Sequence, residues 1–241
     1  MRAETRRQLK EDRFSRATLG AAEKTVHWTV EHKSKLTTAV VAAVVIVGAA
    51  LGSWYYLDRQ NERASMDLTQ AVRTLGTPIA PAGTPAQPDV TTFSSVRERA
   101  AAATRQLQTI VDKYPHTHTA DVARYLLGTT AMDLGDKATA ERQLKEVAAS
   151  RPSDLAGLAK LALANLYASD NRTKNAVDLY KELIDKPTET VSKTAAQLAL
   201  AQLYENSQQP QEAKRLYEQI RKENPSGDAA SLAQTRLQQL K

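Results

Sequence analysis

Twenty-two consecutive residues without a charge, Leu36 to Leu57, constrain this 241-residue chain more than any other feature. A helix of that length spans about 33 Å, against a bilayer hydrocarbon thickness of roughly 30 Å. The core helix of a water-soluble domain breaks such a run with polar positions every three or four residues, whereas TTAVVAAVVIVGAALGSWYYL is apolar all round its centre. Trp54, Tyr55 and Tyr56 close the run, where amphipathic rings prefer the headgroup level, and Trp28 is a weaker counterpart before it. The expectation is a transmembrane helix over 36–57.

Flanking charge sets the expected orientation. Residues 1–35 hold nine Lys and Arg against five Asp and Glu, with Lys33 and Lys35 next to the span, while Asp58, Arg59, Glu62 and Arg63 nearly cancel at its far end. Basic residues stay on the cytoplasmic side, so the tail 1–35 is expected there and the larger C-terminal part on the opposite side. The acidic residues Glu4, Glu11 and Asp12 within the tail favour contact with anionic lipid over nucleic-acid binding. A cleaved signal peptide fits poorly, because the basic tail is long and bulky aromatics stand where small residues would be needed. Gly48 and Gly52 form a GxxxG spacing, which offers a bare helix face for close packing of a second transmembrane helix and thus a route to homo-oligomers.

After the span, Ala64, Leu68, Ala71, Val72 and Leu75 recur at helical spacing and Gly76 follows as a terminator, giving a juxtamembrane helix over 58–75. Residues 76–90 carry four of the nine prolines without periodicity and read as a linker. Ser95 and Glu98 then have the spacing of a capping box that opens a helix to about Lys113, at the start of a repeat domain over 91–241. Only 5% of residues are aromatic, and Ala, Leu, Gln, Lys, Arg and Glu dominate, so the class is all-α. With no cysteine, disulfides, thiolate nucleophiles and Cys-based metal sites are excluded.

The segment from Asp121 recurs from about residue 157 and again from about 194. The first copy has Leu127-Gly128, Ala131, Gly135, Ala140, Leu144, Val147 and Pro152; the second has Leu163-Ala164, Tyr167, Ala176, Tyr180, Leu183 and Pro187. The third has Leu200-Ala201, Tyr204, Ala213, Tyr217, Ile220 and Pro225. Small residues at the eighth and twentieth positions let two helices approach, larger ones at the eleventh and twenty-fourth fill the gap, and proline stops the second helix. Ala103, Leu107, Ile110 and Pro115 match the second half of an earlier unit, whose first helix is then the juxtamembrane helix. Each hairpin leaves an apolar face that its neighbour must cover, and Asp228 to Leu240 is placed to close the stack.

This pattern resembles the tetratricopeptide repeat (TPR), so the expected fold is a transmembrane helix followed by a TPR-like antiparallel helix-hairpin solenoid. The order of parts, carried by SWYYLDRQNERASMDLTQAV and the repeats LLGTTAMDLGDKATAERQLKEV, LALANLYASDNRTKNAVDLYKEL and LALAQLYENSQQPQEAKRLYEQI, is similar to the family of the ancillary SecYEG translocon subunit and the cell-division coordinator CpoB. That resemblance implies the bacterial inner membrane, a periplasmic repeat domain, and protein partners among the Sec translocon, periplasmic chaperones and envelope proteins. A structural factor in outer-membrane assembly or division is the reading of a different class. The Pro-rich insertion and the long basic tail depart from the compact family pattern.

Chemistry has little support. His116 and His118 flank a turn in YPHTHTAD with Asp121 nearby, but no further ligand accompanies them, and solvated loop histidines are expected. No phosphate-binding glycine loop, nucleophile elbow or zincin motif is present, so no enzyme, cofactor or metal is expected. For partner binding, the repeat register puts Tyr125, Thr129, Asp133, Asn165, Ser169, Gln202, Glu205 and Asn206 on the first helices, which line the concave face. They are mostly uncharged, without the recurrent Lys/Asn set that clamps a terminal carboxylate.

Overall fold

The computed structural model describes residues 33–80, 92–150 and 154–240, and all the secondary structure among them is helical apart from one isolated bridge. The tail before residue 33, Trp28, linker residues 81–90 and Pro152 lie outside the described residues. The chain divides into two units, Met1–Tyr56 and Leu57–Lys241. One helix, α1 (Lys33–Gly76), takes in both the apolar run and the amphipathic segment after it, which the sequence separates by character rather than by a break. In the first unit its large apolar side chains stay exposed: the ten from Val40 to Tyr56 are 56–68% exposed.

The second unit is built from hairpins. Residues 57–76 of α1 pair with α2 (Val96–Lys113); α3 (His118–Asp133) pairs with α4 (Lys137–Ala148), α5 (Asp154–Ser169) with α6 (Thr173–Asp185), and α7 (Lys193–Asn206) with α8 (Pro210–Glu223). Helix α9 (Asp228–Gln239) lies last and covers Ala201, Ala213, Tyr217 and Ile220 with Ala233 and Leu237. Ala64 and Ala71 of α1 are fully buried against Leu107, Ile110, Ala123 and Leu127, so the helix leaving the apolar run is the first helix of the first hairpin. Polar bonds hold it there: the Tyr114 hydroxyl donates to Asp67 at 3.0 Å, and the Thr119 amide and hydroxyl donate to Asn61 Oδ1 at 3.1 and 2.8 Å.

The repeat is visible in the backbone as well as in the core. Counting from Asp121, Gly157 and Thr194, the fifteenth residue adopts positive φ in every copy: Gly135 (78°), Asn171 (57°) and Gln208 (59°). The next amide donates back to the carbonyl five residues earlier, Asp136 to Ala131 (2.9 Å), Arg172 to Tyr167 (2.8 Å) and Gln209 to Tyr204 (2.8 Å). Each first helix thus ends on a left-handed residue that satisfies a terminal carbonyl and reverses the chain. Ala140, Ala176 and Ala213 are fully buried, as small residues at the helix crossing require. Gly128 is tighter still, since a Cβ there would sit 2.7 Å from Leu144 Cγ. The other copies pair Ala164 with Tyr180 and Ala201 with Tyr217, where a methyl group meets a flat ring in place of leucine's tetrahedral branch.

The described residues on either side of 81–91 meet each other. Ala80 donates to the Phe93 carbonyl at 3.0 Å and Phe93 to the Pro78 carbonyl at 3.2 Å, forming a parallel bridge between Ile79 and Phe93. The capping box over Ser95 differs from expectation. The Ser95 hydroxyl accepts from the Glu98 amide at 3.1 Å, but the Glu98 carboxylate reaches one residue further, to the amide (3.0 Å) and hydroxyl (2.5 Å) of Ser94. A second hydroxyl donor at Ser94 gives that carboxylate two partners where Ser95 alone offered one, and the contact lowers its pKa.

Candidate functional site

The first helices α5 and α7 carry most of the expected partner-binding residues, and the hairpin geometry brings four of them together. Asn165 and Ser169 near the end of α5, and Gln202 and Asn206 near the end of α7, line a cavity of about 300 Å³ with Asn171, Tyr180 and Leu203. All four are exposed, as befits the outward side of a helix whose opposite face packs through Leu163, Ala164 and Tyr167. The Tyr180 hydroxyl donates to Asn165 Oδ1 at 2.5 Å, so the Asn165 amide nitrogen is aimed by a partner on the second helix. Burial pushes the Tyr180 hydroxyl up to about 12, and it stays protonated and donating at any ordinary pH. The cavity presents amide and hydroxyl groups and no ionised side chain.

The other expected residues go elsewhere. Asp133 lines a separate cavity of about 290 Å³ with Leu75, Val96, Arg97 and Arg99. Tyr125 is half-buried against the central core, and the half-buried Thr129 returns its hydroxyl to the Leu126 carbonyl at 3.0 Å. Glu205 turns toward the closing helix, 4.0 Å from Arg236 and beside the Tyr217 hydroxyl, which burial foremost and this carboxylate next push up to about 12. His116 and His118 are exposed, His118 as the first residue of α3, and the described residues contain no group of three or more side chains suited to a metal ion. A Cβ at Gly48 or Gly52 would meet no atom within 4 Å, so that face of α1 is open in this chain.

Sequence reasoning missed the charges that stitch the hairpins. Glu141 on α4 accepts from both Arg172 guanidinium nitrogens (2.5 and 3.2 Å) and from the Tyr167 hydroxyl (3.1 Å), and pairs with Lys145 at 2.6 Å. The Arg172 guanidinium also lies 4.0 Å from the centre of the Tyr167 ring. Arg172 first, then Lys145, hold the Glu141 carboxyl down at about 2. Within hairpins, the fourth and twenty-sixth repeat positions pair as Arg124–Glu146 (3.0 Å) and Lys160–Glu182 (2.5 Å). In the third copy these positions are Gln197 and Gln219, and both donate to Glu223, which Lys193 also contacts at 2.9 Å. Gln219 first, then Lys193, lower the Glu223 carboxyl to about 2. The signal was present as a recurring charge pair at fixed repeat positions, but it is diluted among many surface charges.

A larger cleft, about 700 Å³, lies at the other end of α5 between Asp154, Gly157, Lys160, Glu182 and residues 186–189. Here the connection after α6 crosses α5 so closely that a Cβ on Gly157 would be 2.7 Å from the Thr188 hydroxyl. Asp154 anchors it through the Glu189 amide (3.1 Å) and, by its own carbonyl, the Thr190 hydroxyl (2.8 Å).

Comparison with known proteins agrees with the hairpin architecture. No curated protein matches the sequence. Among solved structures, TPR-like repeats ascribed to a kinesin light chain of Podosopora anserina superpose with a TM-score of 0.56 at 17% identity, covering 75% of this chain and 86% of that one. A variant of the same repeats gives a TM-score of 0.56 at 17% identity, covering 75% and 85%. A tetratricopeptide repeat protein from Parabacteroides merdae reaches a TM-score of 0.48 at 19% identity over 60% of this chain, which spans 54% of the length of that protein. The fold is therefore an all-α TPR-like array. The tetratricopeptide repeat family model matches residues 195–227, over α7 and α8. The model of the tetratricopeptide repeat-like domain matches residues 24–182, from before the apolar run through the α5–α6 hairpin, and the chain belongs to that family.

Proposed function

We propose that this protein is a membrane-anchored TPR scaffold at the bacterial inner membrane, with the tail 1–35 cytoplasmic, residues 36–57 crossing the bilayer and the hairpins in the periplasm. Its partners are the Sec translocon and periplasmic chaperones. The scaffold class follows from the family, whose repeats are typically non-catalytic and bind proteins. The observation that carries the anchor is the exposure of 56–68% at all ten large apolar side chains from Val40 to Tyr56. Burial of such a side chain is worth about 1.5–3 kcal/mol, which lipid supplies and water does not. Charge on either side of the run supports the orientation, and the expected likeness to translocon-associated repeat proteins supports the choice of partner.

The polar cavity between α5 and α7 is the proposed contact for an extended segment of the partner. Side-chain amides from Asn165, Gln202 and Asn206 complement main-chain amides in both donor and acceptor roles, and a neutral lining suits internal segments of varied sequence better than a charged terminus. Membrane fractionation with alkaline carbonate, a C-terminal topology reporter and site-specific photocross-linking from Gln202 test the reading. Retention in the membrane pellet, a periplasmic reporter signal and adducts with translocon or chaperone subunits are expected. Release of the intact chain into the supernatant, or adducts confined to cytosolic proteins, refutes it.

A further inference from the structure

The geometry points to a compliant joint within the repeat array, between the α5–α6 and α7–α8 hairpins, which makes the α5–α7 cavity adjustable in width. Two junctions with the same repeat register are built differently. At the first, α3 packs directly on α5, and the Glu141 cluster and the Lys137–Asp170 pair (2.5 Å) tie one hairpin to the next. At the second, α5 and α7 stand farther apart with the 300 Å³ cavity between them, and contact passes chiefly through α6 against α7. The residues equivalent to Glu141, Arg172, Lys137 and Asp170 are Val177, Gln209, Thr173 and Ser207, and among the described residues no ion pair joins these two hairpins.

The connection itself has the form of a pivot. Its loop is fastened to α5 by Asp154 and by the Thr188–Gly157 contact, while Val191, fully buried, sits between Leu183 of α6 and Ala196 of α7. Val191 is tied to that loop, its amide donating to Thr188 Oγ1 and its carbonyl accepting from the Thr188 amide, both at 3.0 Å, so motion of α7 to α9 is expected beyond Val191 with the loop bonds intact. The two family matches also part here, one ending at residue 182 and the other beginning at 195.

The chain has no cysteine, so paired cysteines introduced at exposed, equivalent positions label it cleanly. Spin labels at Ala101 and Lys174 span the two earlier junctions of the full chain in detergent, and labels at Ala138 and Gln211 span the first and second junctions just compared. Electron–electron distance measurement is expected to give a distribution at least twofold wider for the second pair. Transplanting the latch with Val177→Glu and Gln209→Arg, next to the Tyr204 already in place, is expected to narrow it to the width of the first. Equal widths in the unmodified array, or a folded latch variant that leaves the wider distribution unchanged, overturns the proposal.

Discussion

Replacing Glu141 by Gln removes the charge at the centre of the first inter-hairpin cluster while keeping its shape and part of its hydrogen bonding. The folded-state carboxyl sits at about 2 against an ordinary value of 4.5. That gap corresponds to a ceiling of roughly 3 kcal/mol. The side chain is 24% exposed, Arg172 36% and Lys145 55%, so solvent screening brings the expected contribution to about 1–2 kcal/mol. Because the folded pKa is depressed, the stabilisation is complete above about pH 4.5 and is lost as pH falls through about 2. Roughly two fifths of it survives at pH 3. Urea unfolding of wild type and Glu141→Gln at pH 7, pH 3 and below pH 2 is the assay, with each pair compared at the same pH so that the similarly depressed Glu223 cancels. A stability difference that stays constant across that range refutes the electrostatic account and leaves only packing.

Gln208→Gly is expected to raise stability by about 0.5–1 kcal/mol in thermal or urea melts, because the left-handed backbone costs glutamine more than the added chain entropy costs glycine. Gly128→Ala is expected to lower it by about 1–2 kcal/mol by the same measurement, since Leu144 is fully buried and its Cγ cannot withdraw from a new Cβ. Ending the chain after Gly227 uncovers Tyr217 and Ile220 and is expected to increase dye binding to apolar surface and to cause concentration-dependent association in sedimentation.

The recurrence of small, large and terminating residues by itself determined the hairpins, the stop signals and the closing helix, because burial at a helix crossing is a local demand on side-chain size. Thus Ala140, Ala176 and Ala213 could be placed in the core from spacing alone, and the exposed apolar run could be told from a core helix by its lack of a polar face. The tertiary structure decided what depends on distances between hairpins. It turned Glu205 toward α9, gathered Asn165, Ser169, Gln202 and Asn206 around one cavity, and laid Thr188 against Gly157. It also selected Arg172 as the partner of Glu141 from many nearby cations. Such pairings depend on the rotation and separation of successive hairpins, set by the packing of many side chains at once, and no single repeat carries that information.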